Sequence, residues 1–142
     1  MSQIIRDMTE ITRCGVQYRS DTLAELGLKA CHASYLMDIC AEPGISQDRL
    51  ARRLCINKSN VARQVAILEE EGFLRRCPSA ADKRVMELFP TDKTLTLLPR
   101  IGQILGCWDE CITQDLTNQE KNLLSRLLAK LKIRATAYMV DK

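Results

Sequence analysis

At 142 residues, with 46% hydrophobic and 27% charged residues, the chain is long enough for one domain with a proper core and too apolar to be disordered. Aromatic residues make up only 4%, so the expected core is aliphatic and helical rather than that of a β-sandwich. The formal charge is +3, and charges interrupt every long apolar run, which excludes a transmembrane span.

Asp7 and Glu10 near the start argue against a secretory signal, so a cytoplasmic protein is expected. The seven cysteines (Cys14, Cys31, Cys40, Cys55, Cys77, Cys107 and Cys111) are odd in number and contain no Cys-x-x-Cys. They read as reduced, small apolar side chains rather than as a disulfide framework.

In chain order, Ile4, Met8, Ile11, Gly15 and Tyr18 alternate by four and three, which predicts an amphipathic helix over about 3–19. A short connector over 23–28 leads into a second helix, Lys29–Ala41, apolar on nearly every side and therefore expected to be central. Glu42-Pro43-Gly44 ends it. Ser46 is an N-cap candidate for a short helix carrying Leu50, Ala51 and Leu54, closed by a turn at 55–57. The next helix runs over 58–71, with Val61, Val65 and Leu68 as its inner stripe and Gly72 as its stop.

Two extended runs, 73–77 and 85–89, are separated by a basic stretch and predict a hairpin. Beyond Pro90 the helical pattern returns through Leu98, Ile101, Leu105, Trp108 and Ile112, with Pro99 expected to kink or restart that helix. Thr117 and Glu120 fit a capping box, and Leu124, Leu128, Leu131, Ala135 and Tyr138 trace a last helix.

Charge is not spread evenly. Residues 46–84 hold nine basic side chains against five acidic ones, a net of +4, while the rest of the chain carries twelve against thirteen. Two helices joined by a tight turn and followed by a hairpin predict a winged helix-turn-helix, and the basic middle third is what a phosphate-binding module needs. The second of these helices opens with Lys58, Ser59, Asn60, Arg63 and Gln64, all able to donate to phosphates or base edges. It closes with Glu69, Glu70 and Glu71, which DNA would repel, so the N-terminal half is expected to enter the major groove. One of Arg49, Arg52 and Arg53 is expected to touch a phosphate, with Arg49 the candidate beside Ser46. Lys83 and Arg84 stand at the hairpin tip, and Arg76 is expected to pair with Asp82 and so order the wing.

Gly44–Ala51, Lys58–Arg63, Leu68–Arg76 and Asp82-Lys83-Arg84 together resemble the MarR family of bacterial transcriptional regulators, and the layout is similar over nearly the whole chain. The resemblance implies a homodimer built by the outer helices, a palindromic operator in double-stranded DNA, and an arginine, here Arg84, entering the minor groove. The chain departs from the family in Pro90–Thr94, where many members have a glycine after the lysine. The reactive cysteine of peroxide-sensing relatives would fall near Ile4 rather than at Cys14.

The expected fold class is therefore mainly α with a small β-hairpin: a winged helix-turn-helix domain over 29–90, an N-terminal dimerisation helix over 1–28 and C-terminal dimerisation helices over 91–142. The apolar seams of the first and last helices also ask for a second copy to cover them. The expected function is a sequence-specific regulator, a repressor in most of the family, released by a small hydrophobic or phenolic effector. Cys14, Tyr18, His32, Tyr35, Met37, Trp108 and Cys111 are the candidate lining of the effector pocket. The competing reading is a cysteine-based redox or metal-responsive regulator. An enzyme is not expected, since there is one histidine, no phosphate-binding glycine loop and no nucleophile elbow. No cofactor, metal or membrane partner is expected either.

Overall fold

The computed structural model describes residues 1–140. Helix α1, Gln3–Leu23, is capped by Ser2, whose Oγ accepts the Ile5 N–H, and it runs one turn further than the apolar rhythm predicts. A single 3-10 turn, Ala24–Leu26, then ends on Gly27 in the left-handed region at φ 75°, where the Leu28 N–H returns to the Leu23 carbonyl. Helix α2, His32–Ala41, starts three residues later than expected, after a turn in which the His32 N–H bonds the Lys29 carbonyl and the Lys29 N–H bonds the His32 ring. Its Ala33, Tyr35, Leu36 and Ile39 are all buried, so the expectation of a central helix holds.

Gly44, at φ 90°, sends its N–H to the Leu88 carbonyl and so starts a strand that was not anticipated, β1, Ile45–Ser46. Two residues are too few to show alternation. Helices α3, Gln47–Leu54, and α4, Lys58–Glu70, follow. Strands β2, Leu74–Pro78, and β3, Met86–Pro90, form the antiparallel hairpin, each one residue later than predicted. The sheet order is β1-β3-β2, with Ile45 opposite Leu88 and Leu88 opposite Arg76.

Helix α5, Asp92–Thr113, runs through Pro99 without restarting. The missing N–H deprives the Leu95 carbonyl of its helical donor. Both residues are exposed, so water can serve that carbonyl at little cost. Thr94, at the position where many family members have glycine, is buried and gives its hydroxyl to the Phe73 carbonyl, while Thr91 donates to the Gly72 carbonyl. Those two bonds fasten the start of α5 to the base of the wing. Helix α6, Asn118–Val140, opens with the expected capping box, in which Thr117 and Glu120 exchange backbone N–H bonds at 2.9 and 3.1 Å.

The chain divides into two compact units, with the boundary inside α5 between Gly106 and Cys107. The first holds the whole described core, centred on Leu23, Tyr35, Leu36, Ile39, Leu50, Val61, Val65, Leu68, Phe73, Leu88 and Ile101. In the second, none of the described residues is buried. None of the described helices is long and apolar enough to cross a membrane.

Candidate nucleic-acid interface

Helix α3 is terminated at both ends by local chemistry. Ser46 Oγ accepts the Arg49 N–H at 3.1 Å, and Cys55 closes the helix in the left-handed region at φ 56°. The backbone then turns within three residues onto Asn57, whose side-chain oxygen takes the Asn60 N–H at 2.8 Å and the Ser59 hydroxyl at 3.0 Å. Asn57 is the N-cap of α4. It was read only as the end of a turn, although asparagine directly before a helical run is a cap signal. The cap leaves the remaining first-turn N–H groups of α4, with the positive end of its dipole, directed outward beside Lys58 and Ser59.

Val61, Val65 and Leu68 face the core, so the opposite face carries Ser59 and Arg63 outward, with Lys58 beside them. Arg63 is steadied by a bond to Asn60 Oδ1 at 3.2 Å, and Lys58 lies 3.5 Å from Asp48. Gln64 is not part of this outward group. It stands three residues after Val61 and one before Val65, on the inner flank, where its Oε1 lies 2.9 Å from His32 Nε2. The expected DNA contact of Gln64 therefore falls to its amide NH2 alone, since its Oε1 is held by His32.

Arg49 and Arg53 both bind Glu42, at 3.0 and 3.1 Å, which ties α3 to the end of α2. Arg49 remains half exposed beyond that pair. Arg76 does not pair with Asp82. Its backbone N–H, Nε and Nη2 all reach the Glu69 carboxylate, at 2.9 to 3.0 Å. These bonds, the backbone one foremost, hold the Glu69 carboxyl below the usual carboxylate range. Glu69, read from the sequence as one of three acids repelling DNA, is the clamp between α4 and the first strand of the wing. The turn at Gly72, φ 84°, reverses the chain and makes that contact, which linear spacing does not show.

Asp82 instead orders the wing through Arg84. Its carboxylate accepts both Nε and the backbone N–H of Arg84, at 3.2 and 3.0 Å, and these bonds lower its pKa. The loop is closed further by Ser79 N–H to the Val85 carbonyl and Val85 N–H to the Asp82 carbonyl. Arg84 nevertheless stays 90% exposed at the tip, with Lys83 exposed beside it.

His32 and Tyr35 are core residues, each 1% exposed, and both nitrogens of His32 are occupied, so His32 offers no free polar tip to an effector. Burial lowers the pKa of His32 and raises that of Tyr35. Tyr18 donates its hydroxyl to the Ile104 carbonyl at 2.8 Å, Met37 packs against the core, and Cys14 is exposed. Cys111 is exposed and Trp108 half-buried, both in the second unit. Among the described residues, no three His, Cys, Asp or Glu side chains gather as a metal site would require.

This geometry is that of a winged helix-turn-helix reader: an outward polar helix terminus, a basic tip and a rigid brace between them. The family model described as MarR family matches residues 30–86, from the start of α2 to the second strand of the wing. The HTH-type transcriptional regulator BilQ of Clostridium symbiosum is 31% identical over 97 residues, which span 68% of this chain and 67% of that one.

The chain belongs to the MarR family.

The likeness to the family extends well beyond the reader. The HTH-type transcriptional regulator YybA of Bacillus subtilis is 28% identical over 132 residues, or 93% of this chain and 88% of its own. A MarR family transcriptional regulator from Listeria monocytogenes, solved in complex with 26mer DNA, superposes with a TM-score of 0.94 at 28% identity, over 99% of this chain and 93% of that one. This MarR-family chain is a DNA-binding transcriptional regulator, and its relatives are not enzymes.

Proposed function

We propose that the protein acts as a homodimer on a palindromic operator, with α4 in the major groove and the wing tip in the flanking minor groove, and that it represses. The observation that carries this reading is the exposure of Lys58, Ser59 and Arg63 on the N-terminal half of α4 together with the 90% exposure of Arg84 on an ordered wing. An arginine on a helix N-terminal half can bond a guanine edge in a bidentate manner, and an arginine in a narrow minor groove reads A·T-rich shape. Two readers related by a two-fold axis would meet half-sites about 34 Å apart.

The apolar residues left in contact with water support the dimer. In the first unit Ile4, Ile5, Met8 and Ile11 are exposed along α1, and in the second Leu123, Leu124, Leu127, Leu128 and Leu131 along α6. Faces of this kind mark an interface between subunits.

Selection of bound fragments from the source genome tests the reading. A palindromic consensus with half-sites one helical turn apart is expected, and Lys58→Ala should lower the salt slope by about one phosphate per subunit on all sequences. A preparation that enriches no sequence over bulk DNA would refute it.

Release by a small hydrophobic or phenolic effector is proposed on the family resemblance. Quenching of Trp108 during titration with salicylate-like compounds, coupled to loss of operator binding, tests it. The cysteine-based reading is favoured by one feature: Cys14, Cys31, Cys55, Cys107 and Cys111 are all exposed thiols. Release of operator by peroxide, reversed by a thiol reductant, would assign control to them.

A further inference from the structure

His32 is the chain's one histidine, and nothing in the reading above uses it. Its ring joins two elements. Nδ1 accepts the Lys29 N–H at 3.1 Å in the turn before α2, so Nε2 carries the proton and donates to Gln64 Oε1 on α4 at 2.9 Å. The Cys31 thiol reaches the same amide oxygen at 3.9 Å, and the Tyr35 ring meets the imidazole edge-on. The N-terminal turn of α2 thus supplies two donors to one side chain of α4, and that side chain adjoins Arg63.

We propose that His32 is a positioning residue for α4: its neutral form, with Nδ1 on the Lys29 N–H and Nε2–H on Gln64, holds the roll of that helix, and protonation, which turns Nδ1 into a donor facing the Lys29 N–H, drives the ring out of this site and so frees Gln64. A roll of about 10° moves a side-chain tip about 6 Å from the helix axis by about 1 Å, which is comparable to the tolerance of a directional hydrogen bond. Protonation sets an Nδ1–H against the Lys29 N–H, two donors without an acceptor, and places a charge where the ring is 1% exposed. The Gln64 bond and the Glu71 carboxylate favour that charge and the Lys29 ammonium opposes it; the Tyr35 ring stands edge-on to the imidazole and the Cys31 thiol shares its Gln64 acceptor. Burial outweighs the rest and keeps the imidazole neutral at pH 7, so the release falls on the acid side.

The proposal rests on the DNA reading only in the second of two measurements on the full chain. The first follows the amide resonances of Val61–Leu68 against pH without DNA. They should shift with the midpoint of His32 in the wild type and stay still in His32→Gln, which keeps a donor and an acceptor but does not titrate. The second measures affinity for the selected operator duplex. Between pH 7.5 and the acid side of the His32 midpoint found in the first measurement, the wild type should lose about tenfold more affinity than His32→Gln. At pH 7.5, Gln64→Leu should bind about fivefold more weakly with an unchanged salt slope.

Equal pH profiles for wild type and His32→Gln would overturn the proposal, as would α4 amides that ignore the titration or a Gln64→Leu variant that binds like wild type. Amides that follow His32 in a protein that binds no duplex would leave the proposal standing and refute the DNA reading instead. A wild type that unfolds before His32 titrates would also overturn the proposal, since no acid release then exists in the folded protein.

Discussion

Helices α4 and α6 share one apolar rhythm and differ in what covers it. Val61, Val65 and Leu68 of α4 are completely buried, whereas Leu124, Leu128 and Leu131 of α6 keep 42–45% of their surface in water. Full burial of a leucine stabilises by about 1.5–3 kcal/mol, so each α6 leucine still has roughly 1 kcal/mol to gain from a partner. The seam of α4 is satisfied within its own unit. That of α6 is not, and in the proposed dimer it is the seam a second copy would cover.

The contrast can be broken most directly by truncation on the α4 side. Leu68→Ala should cost about 3 kcal/mol in denaturant unfolding, independent of protein concentration, because the cavity it leaves lies inside one chain. A cost below about 1 kcal/mol would mean that the reader's core is not where it is described. Leu128→Asp acts on the other side. It should convert the proposed dimer to monomer in sedimentation at micromolar concentration and leave the reader's spectrum intact. A variant that sediments like the wild type would remove α6 from the interface.

Arg84→Ala separates wing from core. It should weaken operator binding by about 1–3 kcal/mol per half-site and relax A·T preference at the operator edges, with stability and subunit assembly unchanged. Unaltered affinity would show that the exposed tip does not enter the groove.

The smallest effect concerns the brace behind that tip. The folded-state pKa of Glu69 is depressed, so its contribution is present above the usual carboxylate pKa and lost as pH falls through the folded value. Its side chain and that of Arg76 are about one-third exposed, so solvent screening keeps the gain below about 1 kcal/mol. Glu69→Gln should therefore lower stability slightly at pH 7 and flatten the loss of stability below pH 4.5. Unfolding curves of wild type and variant that remain parallel across pH 3–7 would contradict the clamp.

Much of this was legible in the residues. The apolar periods placed all six helices, the Thr117–Glu120 box and the Ser46 cap formed as their types require, and the charge of residues 46–84 marked the reader. The inner-flank place of Gln64 was legible too, since it stands three residues after Val61, but that His32 would take its amide oxygen was not. Glu69 could not be assigned from its neighbours Glu70 and Glu71, because only the reversal at Gly72 brings Arg76 back onto it. The two-residue strand β1 exists through its pairing with Leu88 and Glu87, and no local preference signals so short an element.

By itself, then, the sequence determined which segments are helical, which faces are apolar and where positive charge gathers, because propensity, period and charge are properties of neighbours along the chain. Which acid meets which arginine was decided by the tertiary structure: Glu69 with Arg76, Asp82 with Arg84, and Glu42 with both Arg49 and Arg53. So was the fate of the one histidine. An ion pair or a buried hydrogen bond depends on distances of about 3 Å, and for partners from two positions apart, as Asp82 and Arg84, to 32, as His32 and Gln64, the turns of the folded backbone set those distances.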